Sequence, residues 1–352
     1  MKLPTKPIAI TLGDPAGIGP EIIAKAFRDA PEVTRGCFVA GDAATMRRAV
    51  GWVSGKQIPL PVAHIAAPKD AFDLPPRCLP VIQIQVLAAP VPMGQVSALG
   101  GRLAGDCVVW AAKAALGGEI AAMVTAPLHK EALEASGQPY SNYPGHTELL
   151  QAIAAEHAGK TPAEMPVRMM LANDELRVVL VSIHVALIDA IRTVTIDNVL
   201  QTLRISHKAL HKILGRAPRI GVAGLNPHAG EGGLFGREEI EAIAPAILQG
   251  RAEGINVQGP FAPDTVFMRA RALKGKPGEF DVVVAMYHDQ GLIPVKYLGM
   301  EKGVNVTLGL PLVRTSPDHG TAFDIAGTGQ ADASSLIAAI RVAKSMARRL
   351  NP

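Results

Sequence analysis

The sequence predicts an α/β fold with a largely parallel sheet. Short apolar runs rich in β-branched residues alternate with longer amphipathic stretches along the chain, a pattern typical of strand–helix–strand units. Many of the 35 glycines and 28 prolines stand where a run and a helical stretch meet, as expected of the turns between them. The length of 352 residues corresponds to about two domains of ~150 residues each.

Each element follows from its local pattern. Residues 8–12, IAITL, are predicted as the first strand because they are apolar and precede a Gly-Asp-Pro turn. Further strands are expected at 37–40, 81–86, 121–125, 167–172, 177–183, 219–223, 281–286 and 304–308. Residues 196–214 are predicted as an amphipathic helix, because Val199, Leu203 and Leu210 recur on one face. Other helices are expected at 21–30, 101–116, 148–157, 237–253 and 333–350.

Composition argues against several classes of protein. The formal net charge is +4 and the basic residues are scattered, which disfavours a nucleic-acid partner. Cys37, Cys78 and Cys107 are widely spaced in apolar surroundings, as expected in a reducing compartment. No apolar run approaches about 18 residues, and no signal-peptide core precedes Gly13. We therefore expect a soluble, cytoplasmic protein without a membrane partner.

Histidines concentrate where ligands bind in an open α/β fold, at the carboxyl ends of strands. The histidines in such places are His64, His129, His146, His184, His228, His288 and His319. Among them, His184, His228 and His288 each follow an apolar strand directly. Three neutral imidazoles that leave one coordination position open are typical of a catalytic Zn²⁺ site. The alternative for each histidine is a hydrogen-bonded turn residue.

Other polar residues lie beside strand ends or turns, where a structural role has to be weighed against a binding role. Lys130, Lys296 and Arg314 could clamp a carboxylate or phosphate, or could be surface charges. Asp264 is expected to cap the helix that follows it, and Asn305 either forms a turn or binds substrate.

Residues 13–21, GDPAGIGPE, form a glycine-rich turn that matches neither the dinucleotide fingerprint nor the P-loop. Pro20 suits the first helical turn and Glu21 suits the positive end of the helix. A structural turn and an anion-binding turn both remain open.

Longer motifs resemble a known family. Residues 319–332, HGTAFDIAGTGQAD, are similar to the adenine-side loop of isopropylmalate and isocitrate dehydrogenases, and are called the cofactor loop below. Five further motifs resemble the 4-hydroxythreonine-4-phosphate dehydrogenase (PdxA) family of pyridoxal phosphate biosynthesis. They are GDPAGIGPE at 13–21, PGHTE at 144–148, GLNPHAGEGG at 224–233, YHDQG at 287–291 and VNVTLGLPLVRTS at 304–316. The match extends from about residue 8 to residue 345.

The resemblance implies two α/β/α domains with a central cleft, in the isocitrate/isopropylmalate dehydrogenase-like fold. We expect a discontinuous domain at 1–138 and 296–352 that carries the cofactor loop, and a second domain at 139–295 that carries metal ligands and dimer contacts. The implied cofactors are NAD or NADP and a divalent metal, Zn²⁺ first, with Mg²⁺ or Co²⁺ as alternatives. The implied partners are a small anionic hydroxy acid and a second copy of the chain, with the active site at the subunit interface.

The resemblance also implies roles for single residues. His184, His228 and His288 correspond to the metal ligands, some of them supplied across the dimer. Lys296 is expected to transfer a proton or to hold the reacting oxygens. Asp264 aligns with an acidic residue near the site and is expected to act in catalysis. The expected substrate contacts are His146, Thr147, Lys296, Asn305, Arg314 and Lys130. The expected cofactor contacts are His319, Gly320, Asp324, Ile325 and Gly327.

The implied reaction oxidises the C3 hydroxyl of 4-phosphooxy-L-threonine to a 3-keto acid, which decarboxylates to 3-amino-2-oxopropyl phosphate. Residues 185–189, VALID, depart from the family's usual Leu-Pro-Leu followed by a basic residue. The segment at 159–166 also has more residues than expected. A related substrate therefore stays open, either threonate or erythronate 4-phosphate or an aromatic cis-dihydrodiol. Outside this class, the alternatives are a metal-dependent lyase and a non-catalytic binding protein.

Overall fold

The computed structural model describes residues 4–55, 58–273, 275–299 and 302–350. The chain divides into two compact units. The first unit holds the chain up to Pro166 together with the chain from Leu310 onward, and the second runs from Val167 to Gly309. The α/β fold class predicted from the sequence is confirmed.

The described residues form twelve strands. They are β1 (Ile8–Thr11), β2 (Cys37–Gly41), β3 (Val62–His64), β4 (Leu79–Gln83), β5 (Ala122–Thr125), β6 (Arg168–Ala172), β7 (Arg177–Leu180), β8 (Ile220–Ala223), β9 (Val257–Phe261), β10 (Val282–Ala285), β11 (Val304–Leu308) and β12 (Arg314–Pro317). All of the strands expected from the sequence are present, most of them shorter by one to three residues than predicted.

The helices among the described residues alternate with these strands. They are α1 (Gly19–Asp29), α2 (Pro31–Thr34), α3 (Ala43–Ser54), α4 (Ala98–Leu116), α5 (Lys130–Ala135), α6 (His146–His157), α7 (Leu187–Arg192), α8 (Ile196–Leu214), α9 (Ala244–Ala252), α10 (Pro263–Ala270), α11 (His288–Tyr297) and α12 (Ser334–Leu350). None of the helices that the structure describes is long and apolar enough to cross a membrane.

In the first unit, the strand order is β3-β4-β2-β1-β5-β12, and every neighbouring pair is parallel. Strands β1, β2 and β5 are buried throughout, as expected of a parallel sheet covered on both faces. Gly101 of α4 allows the close approach of α5, because a Cβ at this position would lie 1.9 Å from the Ala132 carbonyl oxygen. The unit is therefore a sheet between layers of helices.

In the second unit, the order is β11-β6-β7-β10-β8-β9, with β7, β10, β8 and β9 parallel to one another. Strand β6 is antiparallel to both of its neighbours, which departs from a uniformly parallel sheet. The cause is the connection between β6 and β7, which is too short for a helical crossover. The Asn173 side chain closes this turn by accepting hydrogen bonds from the backbone N–H groups of Glu175 and Leu176 at 2.9 and 2.8 Å.

The observed division differs from the predicted boundaries at 138/139 and 295/296. Helix α6 stays with the first unit because it packs on α4. Strand β11 stays with the second unit because it pairs along its whole length with β6. The boundaries therefore fall at 166/167 and 309/310, where the chain leaves these contacts.

Candidate active site

The three predicted metal-ligating histidines all lie in the second unit, after adjacent parallel strands. Strand β10 lies between β7 and β8 and is parallel to both. His184 follows β7, His228 follows β8, and His288 is the first residue of α11 after β10. Because these strands run in the same direction, their carboxyl ends and the histidines lie along one edge of the sheet.

Two of these histidines are close neighbours. The ring centroids of His184 and His288 are 5.7 Å apart and the rings are tilted by 44°. The Nδ1 atom of His288 lies 2.7 Å from Oδ1 of Asp289. Since a carboxylate only accepts hydrogen bonds, Nδ1 is the donor in this contact, and in the tautomer with a single proton Nε2 has a lone pair for a ligand. This is the arrangement of a metal-binding imidazole oriented by an acidic neighbour.

His228 does not join them in a three-ligand group. Across the described residues, no three His, Cys, Asp or Glu side chains lie close enough together to hold one metal ion. The His228 side chain is exposed, and its ring centroid lies 6.2 Å from that of Phe235. The second unit therefore offers a pair of imidazoles and a separate, accessible third one.

Two polar side chains hold the strand ends in place. Nε2 of Gln290 donates to the Gly224 carbonyl at 2.7 Å, and its Oε1 accepts from Met286 N–H at 2.7 Å, so Gln290 ties the end of β10 to the end of β8. The Ser182 hydroxyl donates to the Met286 carbonyl at 2.9 Å and ties the end of β7 to β10. Neither residue stands out in the sequence, where the only signal for Gln290 is its position two residues after His288.

The loop after β8 has a left-handed backbone. Residues 228–232 have φ values between 43° and 81°, and three of them, His228, Ala229 and Glu231, are not glycine. A left-handed residue with a Cβ costs about 1–2 kcal/mol, so surrounding contacts have to hold this turn. The buried Glu239 carboxylate fixes the start of the loop, because its Oε1 accepts the N–H groups of Leu225 and Asn226 at 2.7 and 2.8 Å.

Three further predicted residues belong to the second unit. Asp264 is exposed in the first turn of α10 and is not the N-cap that the sequence analysis expected. The cap is Ala262, because Pro263 takes the first helical position. Lys296 is half-buried on α11, two turns and about 12 Å along the axis from His288. Asn305 lies on β11, and its buried Oδ1 has no hydrogen-bond partner.

A second polar group, in the first unit, surrounds the end of β5. The buried Arg314 guanidinium donates to the Thr125 hydroxyl through Nε at 3.1 Å and through Nη2 at 2.7 Å. Burial lowers the pKa of Arg314 to about 10, so the group is still a cation at neutral pH. Burial and the charge of Arg314 lower the pKa of His146 well below its ordinary value. Nε2 of this neutral imidazole is buried without a hydrogen-bond partner.

The remaining predicted substrate contacts of the first unit are at helix starts. Thr147 follows His146 in the first turn of α6 and is half-buried. Lys130 is the exposed first residue of α5. A cation, a neutral imidazole and a hydroxyl at the start of a helix are groups that bind a small anion.

The cofactor loop follows β12 in the first unit. His319 is half-buried and its Nδ1 lies 3.0 Å from the Gly320 carbonyl oxygen, Asp324 is exposed, and Ile325 is half-buried. Gly327 has a φ of 79°, which favours glycine, and a Cβ there would approach the Met93 side chain. The Phe323 ring stacks on His129 with a centroid distance of 4.5 Å.

These residues fit the groups that the resemblance implies. Imidazoles with a carboxylate behind one of them suit Zn²⁺ and similar divalent ions. The cofactor loop offers half-buried apolar side chains, an exposed carboxylate and glycine backbone to a dinucleotide.

Comparison with known proteins identifies the family of this chain. The family model described as pyridoxal phosphate biosynthetic protein PdxA matches residues 33–343. A 4-hydroxythreonine-4-phosphate dehydrogenase of Beijerinckia indica is 52% identical over 330 residues, which cover 94% of this chain and 92% of the relative. A D-threonate 4-phosphate dehydrogenase of Salmonella typhimurium is 44% identical over 352 residues, covering 97% of this chain and 99% of the relative.

A crystal structure of 4-hydroxythreonine-4-phosphate dehydrogenase from Klebsiella pneumoniae has a TM-score of 0.84 and 41% identity, with 97% of this chain and all of that chain covered. The fold and the polar strand ends place the protein among α/β proteins that bind ligands at the carboxyl edge of a parallel sheet. The chain belongs to the PdxA family, and the family prediction from the sequence is confirmed.

Proposed function

We propose that the protein is a metal-dependent dehydrogenase that oxidises 4-phosphooxy-L-threonine at C3 with NAD or NADP. The 3-keto acid product loses its carboxylate as CO₂ and gives 3-amino-2-oxopropyl phosphate. The observation that carries the proposal is the position of His184, His228 and His288 at the carboxyl ends of three adjacent parallel strands. Relatives that are 44–52% identical and bear the name of this dehydrogenase support the same activity.

Different side chains of the chain would bind the metal, the substrate and the cofactor and transfer the proton. His184, His228 and His288 would hold the divalent metal, with Zn²⁺ as our first choice, and a bound metal would supply Lewis-acid polarisation of the hydroxyl. Arg314, with His146 and Thr147 beside it, would bind the phosphate or carboxylate, and Lys130 and Asn305 would add further contacts. Lys296 would take the hydroxyl proton, with Asp264 as the acidic partner. His319, Gly320, Asp324, Ile325 and Gly327 would receive the dinucleotide.

We also propose that the active protein is a homodimer whose histidine sites combine residues of both copies. Val185, Leu187 and Ile188 follow His184 and are between 53% and 57% exposed. Leu234, 74% exposed, and Phe235, 48% exposed, are in the loop that carries His228. Large apolar side chains exposed together are typical of protein interfaces. A second copy bound here would cover these apolar side chains and place its own histidines next to the exposed histidines of the first copy.

The test is a steady-state assay that follows NADH or NADPH formation with 4-phosphooxy-L-threonine, with and without a chelator. We expect activity that a chelator abolishes and that added Zn²⁺ or Mg²⁺ restores. No turnover in the presence of metal would contradict the substrate, and insensitivity to the chelator would contradict the metal. Calorimetric titration with NAD and NADP separates the dehydrogenase from a lyase, which need not bind a dinucleotide.

A second candidate substrate is D-threonate 4-phosphate. Two observations favour it: the 44% identity to the Salmonella typhimurium enzyme of that name, and the VALID sequence at 185–189. The two substrates share the phosphate and differ in the group at C2, an amine in one and a hydroxyl in the other. The same assay with both compounds therefore decides between them through the ratio of their kcat/KM values.

A further inference from the structure

An ion pair on α1 contacts the last part of the cofactor loop. Nζ of Lys25 donates to the carbonyl oxygens of Gly329 at 2.8 Å and Ala331 at 2.5 Å. Oε1 of Glu21 accepts the N–H of Ala331 at 2.8 Å and lies 3.4 Å from Nζ of Lys25. The Glu21 side chain is fully buried, and that of Lys25 is 13% exposed. Two charged side chains thus bind three backbone groups of one short segment.

The segment needs such support because the backbone hydrogen bonds of the cofactor loop are long. The backbone bonds within the cofactor loop are turn bonds of 3.2 to 3.4 Å, at or beyond the long end of the normal range. Gly327 and Gly329 have φ values of 79° and 75°, so the backbone here has no regular structure of its own. Hydrogen bonds in which one partner is charged are roughly twice as strong as those between neutral groups.

The first part of the cofactor loop is fixed by the same glycine-rich turn. The N–H of Ile18 donates to the Thr321 carbonyl at 2.9 Å. Gly17 is required for this approach, because a Cβ there would lie 2.9 Å from the Thr321 carbonyl oxygen. Residues 17–25 therefore hold both ends of the cofactor loop and leave Asp324 between them exposed.

We propose that Lys25 and Glu21 are positioning residues for the dinucleotide. They hold residues 327–331 in the conformation that receives the cofactor, without touching it. This inference rests on the proposed function, since it takes the cofactor loop as the dinucleotide site. It also assigns a role to the GDPAGIGPE motif, whose helical end supports the cofactor loop instead of binding an anion.

The experiment compares Lys25→Met with Lys113→Met, which removes an exposed lysine from a helix of the same unit. Kd values for NAD and NADP are measured by calorimetry, and amide hydrogen exchange of residues 325–331 is measured in the protein without ligand. For Lys25→Met we expect about a tenfold increase in Kd and in the KM for the dinucleotide. We expect kcat and the KM for the hydroxy acid to stay within about twofold. Exchange of the Ala331 amide should become faster, and Lys113→Met should match the wild type.

Lys25→Met leaves the Glu21 carboxylate buried without its cation, which could prevent folding. The double variant Lys25→Met/Glu21→Gln removes both charges, and the glutamine keeps an acceptor for the Ala331 N–H. It should fold and show the same loss of dinucleotide affinity. An unchanged Kd in this variant, while the wild type binds dinucleotide, would overturn this inference but not the proposed function. A wild type that binds no dinucleotide would overturn the proposed function, and this inference with it.

Discussion

His146 shows how one side chain couples binding to pH. Its Nε2 is buried and Arg314 adds a positive charge, so the pKa of the imidazole is lowered well below the ordinary value of 6.5. The unfolded chain then binds a proton at a higher pH than the folded protein does. The free energy of unfolding is therefore unaffected by His146 above about pH 6.5 and falls as the pH drops below that value.

We predict that His146→Gln reduces this loss of stability. Between about pH 6.5 and 5.5, the wild type should lose up to about 1 kcal/mol more than the variant, because only the wild type has an imidazole that protonates on unfolding. Urea denaturation at several pH values measures the difference. His157→Gln, at the exposed end of α6, is the control and should follow the wild type. Parallel pH curves for wild type and His146→Gln would contradict the prediction.

The paired imidazoles lead to a prediction about metal content. His288→Ala should lower the affinity for Zn²⁺ by at least about tenfold, because it removes one of two neighbouring imidazoles and its link to Asp289. Zinc bound after dialysis and the shift of Tm on adding Zn²⁺ report this without an activity assay. His64→Ala removes an exposed histidine of the first unit and should change neither value. Equal zinc content in all three proteins would rule out this metal site.

At the scale of the element, the turn after β8 is unusual because consecutive residues, 228–232, have a left-handed backbone. Gly230 and Gly232 both have positive φ, at 81° and 66°. A Cβ on Gly230 would lie 2.7 Å from Oε2 of Glu239, whereas a Cβ on Gly232 would have nothing within 4 Å. Substitution of the two glycines therefore distinguishes the cost of the backbone conformation from the cost of a steric clash.

We predict that Gly232→Ala costs about 1 kcal/mol of stability, from the backbone conformation alone. Gly230→Ala should cost about 3 kcal/mol, because Glu239 has to move and release the N–H groups of Leu225 and Asn226. Chemical denaturation gives both values. Equal costs would mean that Glu239 does not hold the turn.

Elements with strong apolar patterns were predictable, and the others were not. The central strands β1, β7 and β10 are apolar because both of their faces are buried, so the sequence reveals them. Strand β12 reads Arg-Thr-Ser-Pro and is nevertheless buried, because it pairs with β5 and its polar groups bond to neighbours such as Thr125. Helix α11 contains Gly291 and Pro294, which hide its helical pattern.

At the scale of the whole molecule, the exposed apolar residues lead to a prediction about assembly. Leu234→Glu should weaken the proposed dimer by at least about tenfold, because it would place a charge in an apolar interface. Sedimentation at several concentrations measures the change. Val86→Glu alters an equally exposed residue of the first unit, 77% exposed, and should leave the mass unchanged. A wild type that is monomeric at micromolar concentration would contradict the homodimer.

The sequence pointed to candidate site residues through their own chemistry, but it did not point to the residues that hold the surrounding loops and strand ends. Histidines at strand ends stand out because their chemistry is visible in a single residue. Gln290, Glu239 and Lys25 hold strand ends and loops through contacts with residues 13 to 306 positions away in the chain. Such contacts depend on how strands and helices pack, and no local pattern encodes them.

The discontinuity of the first unit has a consequence for biosynthesis. Strand β12 and the whole cofactor loop lie after residue 309, while their partners β5 and α1 are made much earlier. Domains fold as units as the chain leaves the ribosome. The second unit can therefore complete its sheet while the first still lacks its last strand. Until about the final eighth of the chain is translated, the edge of β5 stays open to pairing with other strands. During that interval the nascent protein is most exposed to mispairing and most in need of a chaperone.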